Sequence, residues 1–239
     1  MKFKSLLITG TDTGVGKTTV LSGIAAAIHR QGWKVGVLKP AETGCDVGPD
    51  GRLLPHDAAQ LQYFSGCQLD LGAICPVVLK EPLAPLVAAR RAAVRIDIDR
   101  LVQAHAAVAA THDVTFIEGA GGLLVPIASG VTFADLAARL DALVVVVVGS
   151  KLGAINHALL TIRYAQSVGL HVLGYIINFP TATPDIAART NVDVLAEWCG
   201  RPLGVVPYLG VVTMTEECRQ RLADATAAHV RLGELLVPG

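Results

Sequence analysis

Residues 10–18, Gly-Thr-Asp-Thr-Gly-Val-Gly-Lys-Thr, lie between an apolar segment, Leu6-Leu7-Ile8, and a helical pattern opening at Lys17. A glycine-rich turn that runs from a strand into a helix is suited to phosphate. Backbone N–H groups and the helix N-terminus attract the anion, the lysine reaches the outer phosphates, and the following hydroxyl is a ligand for Mg²⁺. The strict G-x-x-x-x-G-K-[ST] spacing is missed by one position. Thr11 stands where the first glycine belongs, and Gly10 comes one residue early. Lysine followed by threonine at a helix start adds no packing of its own, so the turn reads as a nucleoside triphosphate site. Its contacts are expected from Thr13, Gly14, Val15, Gly16, Lys17, Thr18 and Thr19.

Further residues fit the same chemistry. Val114-Thr-Phe-Ile-Glu118 is an apolar strand ending in a carboxylate. Mg²⁺ takes hard oxygen ligands in octahedral geometry, commonly one or two carboxylates with phosphate oxygens and water. Thr18 and Glu118 supply two such oxygens. Asp57 is either a third or a charge placed at a helix N-terminus for its dipole. Gly119-Ala120-Gly121-Gly122 follows Glu118 and permits close backbone approach to a ligand. Lys39 closes a second apolar strand just before Pro40, with Thr43 and Gly44 in the loop beyond. A lysine there either meets an anion or snorkels to solvent. His56 beside Asp57 reads as a solvated loop residue. No Cys/His or Ser/His pairing suggests a covalent enzyme intermediate.

The elements that must position these groups are legible in the apolar pattern. Runs of strand length occur at Leu6–Thr9, Val35–Leu38, Val114–Ile117, Leu143–Val148, Val172–Ile177 and Gly204–Val206. Being apolar on both faces, they predict a mostly parallel sheet with helices on each side. Helical patterns fill the gaps at Thr19–Arg30, Asp57–Phe64, Asp99–Ala110, Phe133–Leu140, Asn156–Val168, Asp193–Trp198 and Glu216–Leu236. Thr132 with Asp135 predicts a capping box. The architecture expected is an α/β, Rossmann-like P-loop NTPase layer formed by residues 1–239 as one domain, with ligands outside the carboxyl ends of the strands. Residues 40–56 and the proline-bearing stretch 70–95 read as long loops, and the first, beside the phosphate turn, reads as substrate-binding.

Composition narrows the function classes. Twenty basic and twenty acidic residues among 239 give zero net charge, and no basic block suggests a nucleic-acid or membrane surface. The longest apolar run, Ala142–Val148, falls far short of the roughly 20 residues a membrane span needs. Five scattered cysteines without a C-x-x-C read as reduced thiols, and no signal peptide is expected before the first strand, so a cytoplasmic protein is anticipated.

Four groups of residues together resemble one family. They are Gly10-Thr-Asp-Thr with Gly16-Lys-Thr, Lys39-Pro-Ala-x-Thr43-Gly44, Glu118-Gly-Ala-Gly-Gly122 and Gly153-x-x-Asn156-His157. They are similar to the motifs of dethiobiotin synthetases, over residues 5 to about 210. The resemblance implies an ATP- and Mg²⁺-dependent cyclo-ligase that joins 7,8-diaminopelargonic acid and CO₂. It implies that Lys17, Lys39 and Thr13 act at the reacting groups and that Thr18, Asp57 and Glu118 hold the metal. Gly119, Ala120 and Gly121 belong to the nucleotide set, as do Asn178, at the adenine, and Pro207-Tyr208-Leu209, flanking the base. Thr13, Lys39, Thr43, Pro82, Gly121 and Gly122 are placed against the diamine. Gly153, Ala154 and Asn156 open a helix that, in a family homodimer, receives the substrate carboxylate from the neighbouring subunit. Phe179 departs from the acidic residue common after Asn178.

Two other readings share the phosphate motif. A ParA/MinD-like partitioning ATPase carries a signature lysine five residues before the phosphate lysine, where this chain has Asp12. Its basic tail also has no counterpart in the mixed-charge segment Glu216–Glu234. A cobyrinate amidotransferase synthetase needs a glutaminase domain, for which no room is expected before Gly239.

Overall fold

The computed structural model describes residues 2–239. Six parallel strands form the central sheet: β1 (Leu6–Gly10), β2 (Val35–Leu38), β3 (Val114–Gly122), β4 (Leu143–Gly149), β5 (Val172–Asn178) and β6 (Gly204–Val206). Their order across the sheet is β6-β5-β4-β1-β3-β2. Strand β1 is therefore central, and the turn that follows it opens at the middle of the sheet's carboxyl edge. Alternation along each strand divides the core. Leu6, Ile8, Val145 and Val147 face one layer, whereas Leu7, Val144, Val146 and Val148 face the other. All seven residues of β4 are buried, which is why its sequence is a near-unbroken valine run.

The helices longer than one turn among the described residues are α1 (Lys17–Arg30), α2 (His56–Ser65), α3 (Pro85–Arg91), α4 (Ile98–Thr111), α5 (Phe133–Arg139), α6 (Ala154–Ser167), α7 (Ile186–Cys199) and α8 (Glu216–His229), with a single further turn at Leu71–Ile74. The capping box at α5 is present. Asp135 Oδ2 accepts from the Thr132 N–H at 2.7 Å, and Thr132 Oγ1 accepts from the Asp135 N–H at 3.4 Å.

The structure corrects several expectations. The proline-bearing stretch is not a plain loop, because Pro85 sits at the first position of α3, where its missing N–H costs nothing. Residues 40–56 are also partly ordered. Glu42–Thr43 pairs in parallel with Val78–Leu79, and Asp46–Val47 pairs antiparallel with Leu53–Leu54. Helix α7 begins seven residues before Asp193, capped by Asp185, which accepts from the Ala188 N–H at 2.7 Å. The last helix stops at His229 because Val230 leaves to bridge Gly204 beside β6, and a single 3-10 turn follows at Leu232–Leu235. All five cysteines are free thiols, and among the described residues no helix is long and apolar enough to cross a membrane.

Candidate active site

The turn after β1 owes its shape to two glycines. A Cβ on Gly10 would stand 2.8 Å from both the Asp12 carbonyl oxygen and Val15 Cγ2, so the glycine one place early is the one the close approach requires. Thr11 keeps an ordinary backbone and donates its N–H to Val147 O at 3.0 Å, extending the sheet by one residue. Gly16 has φ +90°, and a Cβ there would come within 2.3 Å of Asn178 Nδ2. Asn178, expected at the adenine, donates this Nδ2 to Val15 O at 2.9 Å and so ties the turn to β5. Helix α1 then starts at Lys17 with no side-chain cap on its first N–H groups, an arrangement that favours an anion.

Side chains from four segments meet beside this turn. Lys17 is buried, and burial holds its ammonium below the usual lysine range. Lys39 is 3 % exposed and does not snorkel. Its ammonium donates to Asp57 Oδ2 at 2.8 Å and to Glu118 Oε1. Burial alone would lower the pKa of Lys39, but Glu118 and Asp57 outweigh it and raise the pKa above the usual range. Burial likewise pushes the Asp57 carboxyl up, while the charge and hydrogen bond of Lys39 bring it below its ordinary value. Thr18 Oγ1 donates to Glu118 Oε1 at 2.9 Å. Glu118 is fully buried, and its other oxygen, Oε2, has no partner among the described residues. An orphaned buried carboxylate oxygen, a neighbouring hydroxyl and a second carboxylate form a hard-oxygen donor set that fits Mg²⁺.

Thr13, Lys17, Thr18, Lys39, Asp57 and Glu118 line one cavity of about 390 Å³. A second cavity of about 320 Å³ adjoins it, sharing Thr13, Thr43, Ala120 and Gly121 and walled by Pro82 and Pro85. The glycine run creates the junction. Ile8 pairs with Glu118 and Gly10 with Gly122, so β3 takes four residues where β1 takes two and the surplus bulges into the site. Thr43 reaches the junction because its strand is zipped to the proline segment, with Gly44 N–H donating to Glu81 O at 3.2 Å. His56 is solvated as expected, paired at 3.0 Å with Asp46 on the surface, but it opens α2 rather than lying in a loop.

Not every expected residue converges. Pro207, Tyr208 and Leu209 stand beyond β6, and Asn178 at the end of β5, on the opposite flank of the turn from Lys39. Arg221 braces that segment by donating to Leu209 O and Val211 O. Gly153, Ala154 and Asn156 line neither cavity. Ala154 turns its methyl group into this chain's own core and donates its N–H to Lys151 O at 3.1 Å, so its side chain is withdrawn from any ligand. Gly153 and Asn156 are exposed, beside Leu152 at 83 % exposure. Leu160 and Tyr164 of the same helix face Thr13 and Leu124 across an open apolar groove.

One residue absent from the sequence-derived set is Glu42. It is buried and lines the same cavity as Lys17 and Lys39, and its two carboxylate oxygens accept the Asp57 and Ala58 N–H groups at 2.9 Å each. Burial raises its pKa, with those two hydrogen bonds opposing. Nothing in the sequence marks it, since the helix it caps begins fourteen residues later.

Comparison with known proteins places these features in a lineage. A family model described as an AAA domain matches residues 4–216. ATP-dependent dethiobiotin synthetase of Thermodesulfovibrio yellowstonii is 42% identical over 84% of this chain and 88% of the relative. The synthetase of Bacillus subtilis strain 168 is 35% identical over 98% of this chain and 97% of its own length. Among solved structures, a ParA family ATPase from Chlorobium tepidum (14% identity, TM-score 0.54) covers 96% of this chain and 91% of its own. The MinC:MinD cell division complex of Aquifex aeolicus (16% identity, TM-score 0.52) covers 93% of this chain and 86% of the matched chain. These two likenesses establish the α/β P-loop fold alone.

Proposed function

The chain belongs to the ATP-dependent dethiobiotin synthetase family, and we propose that it carboxylates and cyclises 7,8-diaminopelargonic acid with CO₂, giving dethiobiotin, ADP and phosphate. The observation that carries the reading is convergence. Two cations, three carboxylates and several threonine hydroxyls from segments far apart in the chain line one cavity that opens directly onto a less polar one.

The chemistry follows from these parts. One amine of the diamine captures CO₂ as a carbamate and releases a proton. The carbamate carbonyl is too electron-rich for the second amine to attack. Its oxygen therefore accepts the γ-phosphoryl group of ATP, and ADP leaves. The resulting carbamic-phosphoric anhydride carries a good leaving group, so the second amine attacks the carbonyl, expels phosphate and, on releasing a proton, closes the ureido ring. Charge builds on phosphoryl oxygens throughout, and Lys17 and Lys39 stabilise and align them. Thr18, Asp57 and Glu118 would hold Mg²⁺, which supplies further charge neutralisation at the phosphates. Thr13, Thr43 and Pro82 line the diamine side, with Gly121 and Gly122 providing backbone approach. Asn178 and the Pro207–Leu209 segment lie on the flank where a base would extend.

We also propose a cytoplasmic homodimer, with the substrate carboxylate received at the Gly153–Asn156 helix start of the partner. Exposed Leu152, Leu160 and Leu124 near that start supply an apolar face. A partitioning ATPase is the second reading. Asp12 opposes it, because the position of the signature lysine is occupied by a carboxylate that accepts from Lys151 at 3.1 Å.

Phosphate release assayed with and without diamine and bicarbonate tests the main proposal. Release is expected only with both present, and release indifferent to the diamine overturns it. Subunit mixing tests the dimer. Lys17→Ala and Asn156→Glu chains are each expected to be inactive, and their heterodimer is expected to recover about one intact site. Heterodimers confirmed by mass that regain nothing would mean that both elements serve one subunit.

A further inference from the structure

The first four N–H groups of a helix have no partner within it, and at the start of α2 two of them, those of Asp57 and Ala58, are satisfied from outside the helix. Pro55, at the cap position, supplies no side-chain acceptor. Glu42 does so instead, from a strand in a different part of the fold. Each of its carboxylate oxygens takes one N–H, that of Asp57 and that of Ala58, at 2.9 Å. This two-point grip fixes both the position and the roll of the first turn of α2. It is worth more than an ordinary surface cap because Glu42 is buried, where an unmatched N–H or carboxylate is costly.

The residue so gripped is Asp57, whose side chain projects toward Lys39 and the cavity. The strand that carries Glu42 also carries Thr43. That short strand is paired to Val78–Leu79, and Thr43 lines both cavities. One dipeptide thus touches the proposed diamine side through one residue and the proposed metal side through the other.

We propose that Glu42 is a positioning residue for the metal site, holding Asp57 in register through the backbone of α2. The inference rests on the reading of Asp57 as a Mg²⁺ ligand. A group that orients a ligand in this way is worth roughly 10–100-fold in metal affinity. Glu42→Gln keeps the volume and one acceptor oxygen but turns an NH₂ toward the other N–H, so its effect should be smaller than that of Glu42→Ala.

The test is calorimetry with a non-hydrolysable ATP analogue, AMP-PNP, in the presence of Mg²⁺ and in EDTA. The ratio of the two affinities is the metal's contribution. Glu42→Ala is expected to reduce that ratio by roughly 10–100-fold, with affinity in EDTA nearly unchanged. In an Asp57→Asn background the same change should add little, because both act on one ligand. Hydrogen exchange provides a readout independent of nucleotide. The Asp57 and Ala58 amides should exchange faster in Glu42→Gln, while those of α1 keep their protection. If Glu42→Ala does not fold, Glu42→Gln carries both measurements. A metal contribution that Asp57→Asn reduces but neither Glu42 variant touches would overturn the inference and leave the metal reading standing. If Asp57→Asn itself changes nothing, the metal reading fails first, and the inference fails with it.

Discussion

The two flanks of the cavity are built on different principles. On the β1–α1 flank the candidate ligand groups are backbone N–H donors and the Lys17 ammonium, shaped by Gly10 and Gly16 and delivered by nine consecutive residues. On the other flank they are side chains from Lys39, Glu42, Asp57 and Glu118, brought together over as many as 79 positions. The first flank is set by local stereochemistry, and its parts are separable. The second is a charge network, in which each member's protonation and position depend on the rest.

The sharpest separation should come from Lys17→Ala. It removes the cation of the local flank and is expected to reduce turnover by at least about 10²–10³-fold, while the Lys39 network stays intact. Near-normal dethiobiotin formation by this variant would refute the phosphate assignment.

Lys39→Gln should behave differently, because it removes the hub of the network. Asp57 and Glu118 then share a partly buried space with Lys17 as the one cation left among the cavity residues. Breaking a buried pair in this way costs on the order of 3–5 kcal/mol. The expected result is a lower melting temperature together with lost turnover, and the stability loss should shrink in the double variant Lys39→Gln, Glu118→Gln. A Lys39→Gln protein as stable as the parent would show that the pair adds nothing to folding.

A smaller effect is expected from acid. Lys39 holds the Asp57 carboxyl below its ordinary 3.8, despite the opposing effect of burial. A carboxyl depressed by folding stabilises the protein above its unfolded value, and that contribution is lost as pH falls through the native value. The melting-temperature difference between parent and Asp57→Asn should therefore narrow below pH 3.8. Glu42, whose carboxyl is raised chiefly by burial, has the opposite sign, and the Asp57 charge adds to that rise, so the comparison is made in a Glu42→Gln background. A constant difference down to pH 2.5, about the lowest workable acidity, would deny the depression.

The smallest effect belongs to His56, one residue from the network and paired only with Asp46 at the surface. His56→Ala should cost less than about 1 kcal/mol and leave turnover unchanged. A larger loss of turnover would extend the network to a residue placed outside it.

The contrast also explains what was readable. The sequence by itself determined the six strands, the glycine-rich turn after β1 and the capping box at Thr132. Each depends on residues within a few positions: apolar runs, glycines that a Cβ would clash with or strain, and a hydroxyl three residues from a carboxylate. Lys39, Asp57 and Glu118 could be named as candidates, since their types and places at element ends suit the chemistry. Only the tertiary structure decided that Lys39 is buried between the two carboxylates rather than extended into solvent. It also decided that the proline stretch forms a helix, that Ala154 faces its own core, and that Glu42 caps a helix to which it is not adjacent in sequence. The physical reason is range. Turn and strand propensities act through neighbouring atoms along the chain, whereas the charge state of a buried lysine depends on which carboxylates the completed sheet brings within hydrogen-bond distance.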